Sequence, residues 1–239
     1  MRGVLLTFRS QDDELCGRLD PEYWHPAYEE MLRDCRAPMR PLGEFIEHIT
    51  YGAIVTGRSP EPAQAGVLLL GQGSLRASGV DAERAMRVAP DSPYALERCL
   101  VRRGDLLIAR SGAGSVAKNR LGVYHDSEPG VVDCFVDLVR LRGIEPDYVA
   151  AFLRTRFGWA QIHRLINGVG PANLSFDEIR SLLVAEASAE LQRQVAERHA
   201  RRVLPLHRER DFEAADAAVR ELIGAVEDAL VKVADRCMR

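Results

Sequence analysis

Residues 104–120 read GDLLIARSGAGSVAKNR, and this stretch decides how the fold is interpreted. Its first half is a short apolar run that ends at Ala109 and is followed by a loop rich in Gly and Ser, a pattern typical of a buried strand that enters a turn. Its second half carries Arg110, Lys118 and Arg120. Long cations with Ser and Asn between them are the side chains that contact phosphates and base edges, although a Gly-Ser loop with surface cations can also be only solvated.

Similar short apolar runs, separated by Gly, Pro, Ser and Asp, extend over residues 42–141. They predict a compact, loop-rich β unit whose other strands lie at 66–70, 121–124 and 131–141. The sequence on both sides of this unit is helical in pattern. We therefore predict a mixed α/β (α+β) domain over residues 1–187, followed by a long-helical region over 188–239.

The helical segments have recognisable ends. Residues 18–36 predict a short lead-in helix with Pro21 in its first turn, because proline is tolerated there. Residues 146–187 predict further short helices, two of which meet at Gly158. Ser175 and Glu178 form a capping-box pattern, in which each side chain bonds the other residue's backbone amide, so another helix begins there.

The C-terminal region has a regular apolar stripe. After Pro205, which interrupts the helix that precedes it, apolar residues recur in alternating steps of three and four. This spacing predicts either an amphipathic helix packed on its own domain or a coiled coil with a partner helix, from this chain or another. The stripe consists of Phe212, Ala215, Val219, Leu222, Val226, Ala229 and Val233.

Composition excludes several classes of protein. The chain has 239 residues and a formal net charge of -3, so no global positive field attracts it to nucleic acid. Its five cysteines are odd in number and scattered, which argues against a disulfide framework and fits a reducing cytoplasm. No apolar run approaches the roughly 18 residues of a membrane span, so we expect a soluble protein without a membrane partner.

The charge is distributed unevenly along this nearly neutral chain. Residues 98–124 carry six cations against Asp105, a local excess of five. Residues 205–239 carry six basic and eight acidic residues, a local net of -2. A basic middle and an acidic helical end are thus predicted, and the basic middle is the candidate for binding a polyanion.

Signals for catalysis, metals and cofactors are weak. The six histidines show no HxH or HxxxH spacing, no serine elbow is present, and neither glycine-rich loop has the ending of a phosphate cradle. The tetrapeptide Asp91-Ser92-Pro93-Tyr94 is similar to the adenine- or cytosine-holding box of amino-methyltransferases, but Ser92 departs from it and a turn is favoured. We predict no active site, metal or cofactor of the chain's own.

Seven short boxes in order resemble the DNA specificity (S) subunits of type I restriction-modification enzymes, across residues 18 to 203. They are RLDPEYWHP at 18–26, LGE at 42–44, TGRSP at 56–60, GVLLL at 66–70, GDLLIARSG at 104–112, YVAAFL at 148–153 and NLSFDEI at 173–179.

The resemblance implies a target recognition domain followed by a long helix in an antiparallel coiled coil. It implies a non-catalytic subunit that reads double-stranded DNA for a methyltransferase (modification) subunit and, in some systems, a motor-nuclease subunit. Family members carry two such domains, whereas this chain has room for one. It is expected to be a half-subunit that forms a homodimer through its C-terminal helices.

Candidate DNA contacts follow from the basic loop and the resemblance together. The first set is Arg110, Ser111, Lys118, Asn119 and Arg120, and the second is Arg58, Ser59, Arg76, Asn167 and Asn173. Two rival interpretations stay open: a protein-protein adaptor that docks through its C-terminal helix, and a methyltransferase that relies on residues 91–94.

Overall fold

The structure, a computed structural model, describes Tyr23 and residues 25–110, 120–166 and 173–232. Within them the helices are α1 (Pro26–Arg33), α2 (Pro146–Phe152), α3 (Arg156–Ile166), α4 (Phe176–Ser181), α5 (Ala189–Arg198), α6 (Leu204–Arg208) and α7 (Phe212–Lys232), with a π-helical segment (His199–Val203) between α5 and α6. The strands are β1 (Met39–Pro41), β2 (Ile46–Tyr51), β3 (Val67–Leu70), β4 (Leu75–Arg76), β5 (Gly79–Val80), β6 (Met86–Val88), β7 (Leu100–Val101), β8 (Leu106–Ala109), β9 (Leu121–Val123), β10 (Gly130–Val132), β11 (Val136–Leu141) and β12 (Leu183–Ala185).

Strand β8 lies in the middle layer of the fold. It belongs to an antiparallel sheet of order β2-β11-β8-β9, and a second sheet of order β6-β3-β10-β7 packs on one face of it. Leu107 packs toward the second sheet, whereas Leu106 and Ile108 pack toward the helices. Both faces of the strand are covered, which explains why its sequence is an unbroken apolar run. The strand predicted from residues 104–109 is present.

The helical layer includes the C-terminal hairpin, by which we mean α5, the π-helical segment, α6 and α7. Leu222, Val226 and Leu230 of α7 join the same core as Phe152 of α2. Arg210 has a φ of 62° in the turn before α7, a left-handed conformation that reverses the chain. The C-terminal helices are therefore part of the globular core.

The helix predicted from residues 18–36 is shorter than expected. Helix α1 begins at Pro26, which occupies the first turn, and the ring nitrogen Nδ1 of His25 accepts the Ala27 amide as an N-cap at 3.3 Å. Pro21 lies outside the described residues. Proline is at the helix start as expected, but it is a later proline than the one predicted.

The expected break at Gly158 is wrong, because this glycine lies inside α3. The chain bends instead at Leu153 to Thr155, where the Thr155 hydroxyl donates to the Phe152 carbonyl. A Cβ at position 158 would collide with the Phe152 carbonyl oxygen. The glycine thus permits close packing of two helices.

The apolar run at 131–141 forms two strands, β10 and β11, in different sheets, and the connection at Asp133 to Phe135 passes between them. Strand β2, which pairs with β11, was not predicted. The capping box is confirmed: the Glu178 amide donates to Ser175 Oγ at 3.2 Å, and the Ser175 amide donates to Glu178 Oε2 at 2.7 Å.

The long coiled coil is not confirmed. Pro205 lies in the first turn of α6, directly after the π-helical segment, and Val203 and Leu204 keep right-handed helical dihedral angles, so the chain stays helical up to the proline. The buried stripe of α7 is Ala215, Val219, Leu222, Val226 and Leu230. Its last step leads to Leu230, whereas the heptad predicted Ala229, so the stripe follows the α-helical period of about 3.6 residues. Among the described helices, none combines the length and the apolar character that a bilayer crossing requires.

Candidate nucleic-acid interface

The segments at 111–119 and 167–172, which carry predicted DNA contacts, adjoin one corner of the middle sheet. The Ala109 amide donates to the Arg120 carbonyl at 2.8 Å, and the Leu174 amide donates to the Arg110 carbonyl at 3.1 Å. The first bond joins the residues on either side of positions 111–119, and the second places Leu174, which follows positions 167–172, beside Arg110. The structure therefore brings the main chains of Arg110, Arg120 and Asn173 close together.

Four further candidates, Ser111, Lys118, Asn119 and Asn167, lie outside the described residues. Arg120 is half-buried, and Asn173 is exposed. We refer to Arg110, Arg120 and Asn173, with the ring-bearing residues Tyr51, Phe135 and Phe176 described below, as the Arg110 corner.

The Arg110 side chain is held over two aromatic rings. Its guanidinium carbon lies 4.0 Å from the centre of the Tyr51 ring and 5.4 Å from that of Phe176. Tyr51 ends β2 and Phe176 begins α4, so the sheet and the capped helix position the cation from two sides. A guanidinium that stacks on aromatic faces keeps its hydrogen-bonding edge available for a phosphate or a base.

The buried partner of Arg110 is Asp137 on β11. Arg110 Nη1 donates to Asp137 Oδ1 at 3.2 Å, and the second carboxylate oxygen is buried with no hydrogen-bond partner in the described part of the chain. Burial raises the pKa of Asp137 to about 7, although the adjacent Arg110 lowers it. The charge on this carboxylate, and with it the ion pair, therefore changes near neutral pH.

Phe135 contributes an exposed aromatic ring beside Arg110. Its carbonyl accepts the Arg110 amide at 2.8 Å, its own amide donates to Asp133 Oδ1 at 2.8 Å, and its side chain is 48% exposed. Burial raises the pKa of Asp133 to about 6. Sequence reasoning missed this ring because it read 131–141 as one strand, yet the Asp-x-Phe turn within the run was a usable signal.

Arg98 also reaches this corner. Its guanidinium donates to Thr50 Oγ1 at 3.1 Å and to the Tyr51 carbonyl at 3.3 Å, and the residue is exposed. Arg103 instead lines a separate cleft with Glu145 and Asp147. The basic stretch at 98–124 is thus divided between two surfaces.

Arg58 and Ser59 lie in a different cleft, of about 260 Å³, that is also lined by residues 91–94. The Tyr94 hydroxyl donates to the Arg58 carbonyl at 2.5 Å, and the Ser92 hydroxyl accepts the Tyr94 amide at 3.3 Å. These bonds make residues 91–94 a turn, as the sequence favoured.

Arg76 has an internal structural contact. Its Nε donates to Asp81 Oδ2 at 3.1 Å, and its guanidinium carbon lies 3.5 Å from the centre of the Phe212 ring. Asp81 also accepts from Arg210 at 3.2 Å. We call these four residues the Arg76 corner. The contacts attach β4 and β5 to the start of α7 and leave 24% of the Arg76 side chain exposed, so a DNA contact by Arg76 stays a prediction.

The predicted dimer stripe is covered within the chain. Ala215, Val219, Leu222 and Val226 are buried, and Ala229 is half-buried. Phe212 packs beneath Arg76, and Val233 lies outside the described residues. Of the two interpretations that the stripe left open, the structure has a helix packed on its own domain.

Comparisons with known proteins give similarity in structure only. No family model matches the sequence, and no curated protein is significantly similar to it. The type IIG restriction endonuclease BpuSI matches with a TM-score of 0.54 at 10% identity, over 90% of this chain and 35% of that chain.

Two matching structures are specificity subunits of type I restriction-modification systems. The HsdS subunit from Thermoanaerobacter tengcongensis has a TM-score of 0.45 at 14% identity, over 86% of this chain and 48% of that chain. The S subunit from M. genitalium has a TM-score of 0.46 at 13% identity, over 89% of this chain and 52% of that chain. This chain thus spans from about a third to about half of the proteins it matches. The similarity to BpuSI concerns the fold alone: this chain folds like part of a type IIG restriction endonuclease.

Proposed function

We propose that this chain recognises duplex DNA sequences for a restriction-modification enzyme and has no catalytic activity of its own. The observation that carries the proposal is the backbone bond between Leu174 and Arg110, because it joins the ends of two segments that hold seven of the predicted contacts. The fold shared with a restriction endonuclease and the resemblance to specificity subunits support it.

The stacked guanidinium and the exposed Phe135 ring suit two tasks. Arginine forks bind phosphates or guanine edges in pairs of hydrogen bonds, and an exposed aromatic ring can stack on a base or wedge between base pairs. Contacts to phosphates supply affinity for every sequence, whereas contacts to bases supply discrimination. The Arg110 corner, with the segments that leave it, offers side chains for both.

The partners are part of the proposal. A methyltransferase subunit would supply the methyl-donor site and use this chain to find its target, and a motor-nuclease subunit would join in a restricting system. A homodimer of half-subunits would place two identical reading domains on a palindromic site. Such a dimer would use the exposed faces of α7, because the apolar stripe is occupied within the chain.

The test is DNA binding by matched variants. Arg110→Ala alone would strand a buried carboxylate, so we combine it with Asp137→Asn and add Arg120→Ala, and compare the triple variant with Asp137→Asn. Arg142→Ala is the control, since Arg142 is exposed and follows the opposite end of β11.

We expect weaker binding to random duplexes at two salt concentrations, with the salt slope reduced by about 1 for each phosphate that the triple variant no longer neutralises. A base contact would instead relax specificity by about 1 to 3 kcal/mol at one position. Phe135→Ala should weaken binding without loss of stability. Unchanged affinity in the triple variant contradicts the proposal, and a chain that shows no salt-sensitive shift at all favours the adaptor interpretation.

A further inference from the structure

Three side chains that are distant in sequence meet between the middle sheet and the C-terminal hairpin. His125 follows β9, Asp147 lies in the first turn of α2, and His199 begins the π-helical segment. His125 Nε2 lies 3.0 Å from Asp147 Oδ1, and His199 Nδ1 lies 3.5 Å from the same oxygen. The two imidazole rings stack with their centres 5.0 Å apart. Sequence spacing gave no sign of this cluster.

The cluster is buried and incompletely satisfied. Asp147 is 8% exposed and His199 is 7% exposed. His199 Nδ1 has no hydrogen-bond partner among the residues that the structure describes, although it faces a carboxylate. Because buried polar atoms are nearly always bonded, this nitrogen points to a further atom that belongs among the three side chains.

The residue types suit a ligand set. Two imidazoles and a carboxylate are donors that first-row divalent metals accept.

The distances fit an ion of that class. The candidate ligand atoms of the three residues all lie within 4.8 Å of one another. Tetrahedral zinc with bonds near 2.0 to 2.1 Å separates its ligand atoms by about 3.4 Å, so modest side-chain movement would close the set around an ion. The stacked rings already present their nitrogens to one carboxylate.

The site is also reachable from solvent. His125 and Asp147 line a cleft of about 360 Å³, together with Glu145. A fourth coordination position can thus be filled by water, as in metal sites with three protein ligands.

We propose that His125, Asp147 and His199 bind a divalent transition-metal ion, for which zinc is the probe. The ion joins the end of β9, the start of α2 and the π-helical segment, and so fixes the C-terminal hairpin to the middle sheet. The π-helical turn has a role in this arrangement, because it begins at the residue that completes the ligand set.

Titration of the chelator-treated full chain with Zn²⁺ and Co²⁺ tests the proposal. We expect one equivalent to bind, with visible Co²⁺ bands but without a sulfur-to-cobalt charge-transfer band, since no cysteine belongs to the cluster. Zinc at about 100 times its Kd should raise the thermal midpoint by about 5 to 10 °C.

The variants separate this site from other histidines. His125→Ala and His199→Gln should each abolish the Co²⁺ bands and the thermal shift. His48→Ala is the control, because His48 bonds the Arg98 carbonyl away from the cluster. His125 is the more exposed histidine, so its variant decides the matter if His199→Gln fails to fold. No binding by the original chain, or binding that survives His125→Ala, overturns the proposal.

Discussion

The Arg110 corner and the Arg76 corner are built from the same parts. Each arginine side chain is 24% exposed, each pairs with a buried carboxylate at 3.2 or 3.1 Å, and each stacks on an aromatic ring. The partners, Asp137 and Asp81, are 0% and 3% exposed as side chains. Local composition alone would assign both arginines the same task.

The difference lies in how completely each carboxylate is satisfied. Asp81 accepts from a second arginine, Arg210, whereas Asp137 has Arg110 and one buried oxygen without a partner in the described chain. The Arg76 corner is closed by the C-terminal hairpin. The Arg110 corner adjoins the ends of the segments at 111–119 and 167–172. A buried carboxylate whose oxygens are all paired stabilises the fold. A buried carboxylate with an unpaired oxygen marks a place where a bound molecule can supply the missing partner.

The largest expected effect tests the closed corner. Arg76→Ala with Arg210→Ala leaves Asp81 buried without an ion-pair partner, so we expect a loss of about 3 to 5 kcal/mol in the free energy of unfolding. Urea denaturation measures it, and Arg208→Ala, an exposed neighbour, is the control. DNA affinity should persist where the variant is folded. A loss of affinity at unchanged stability would place Arg76 in the interface.

A second prediction asks whether the hairpin belongs to the core. Leu222→Ala removes a buried side chain and should cost about 2 to 5 kcal/mol. Val231→Ala on the same helix should have little effect, because Val231 is 39% exposed. Light scattering is measured alongside unfolding. If Leu222→Ala halves the molecular mass and leaves monomer stability intact, the stripe forms a contact between chains after all.

The smallest effect concerns pH at the open corner. The pKa of Asp137 is raised to about 7 from an ordinary value of 3.8, so the folded chain holds its proton more tightly than the unfolded chain. The favourable contribution of Asp137 to the free energy of unfolding is therefore complete below about pH 4 and is lost as pH rises through 7. Asp137→Asn removes this dependence of stability on pH.

The stability of this variant relative to the original chain should improve by a few kcal/mol at most between pH 5 and 8, as measured by denaturation at each pH. Taking the difference cancels His199, whose lowered pKa acts in the opposite direction. Asp177→Asn is the control, since that side chain is 96% exposed. A pH-independent difference would show that Asp137 is ionised throughout this range.

Sequence reasoning succeeded where the cause was local. The strand at Leu106–Ala109 and the capping box at Ser175 follow from short patterns, because a strand buried on both faces and a helix start each have their own chemistry. The candidate contacts at the Arg110 corner come from a short pattern too, since the cations and glycines there are close in sequence, and their role in binding DNA stays a prediction.

Contacts between distant residues were beyond the reach of sequence reasoning. A stripe of apolar residues cannot say which surface covers it, so the sequence of α7 left open both a partner helix and packing on its own domain. Arg76 is engaged by Asp81 and Phe212, which only the folded chain brings near. The histidine cluster joins positions 125, 147 and 199, and no spacing rule spans such separations.

The hydrogen bond from Leu174 to Arg110 is made by main-chain atoms alone. Such a bond does not depend on which side chains flank it, so the segments at 111–119 and 167–172 can accept new residues while their shared anchor stays in place. Under the proposed function, substitution in these two segments would give the chain a new target without rebuilding its scaffold.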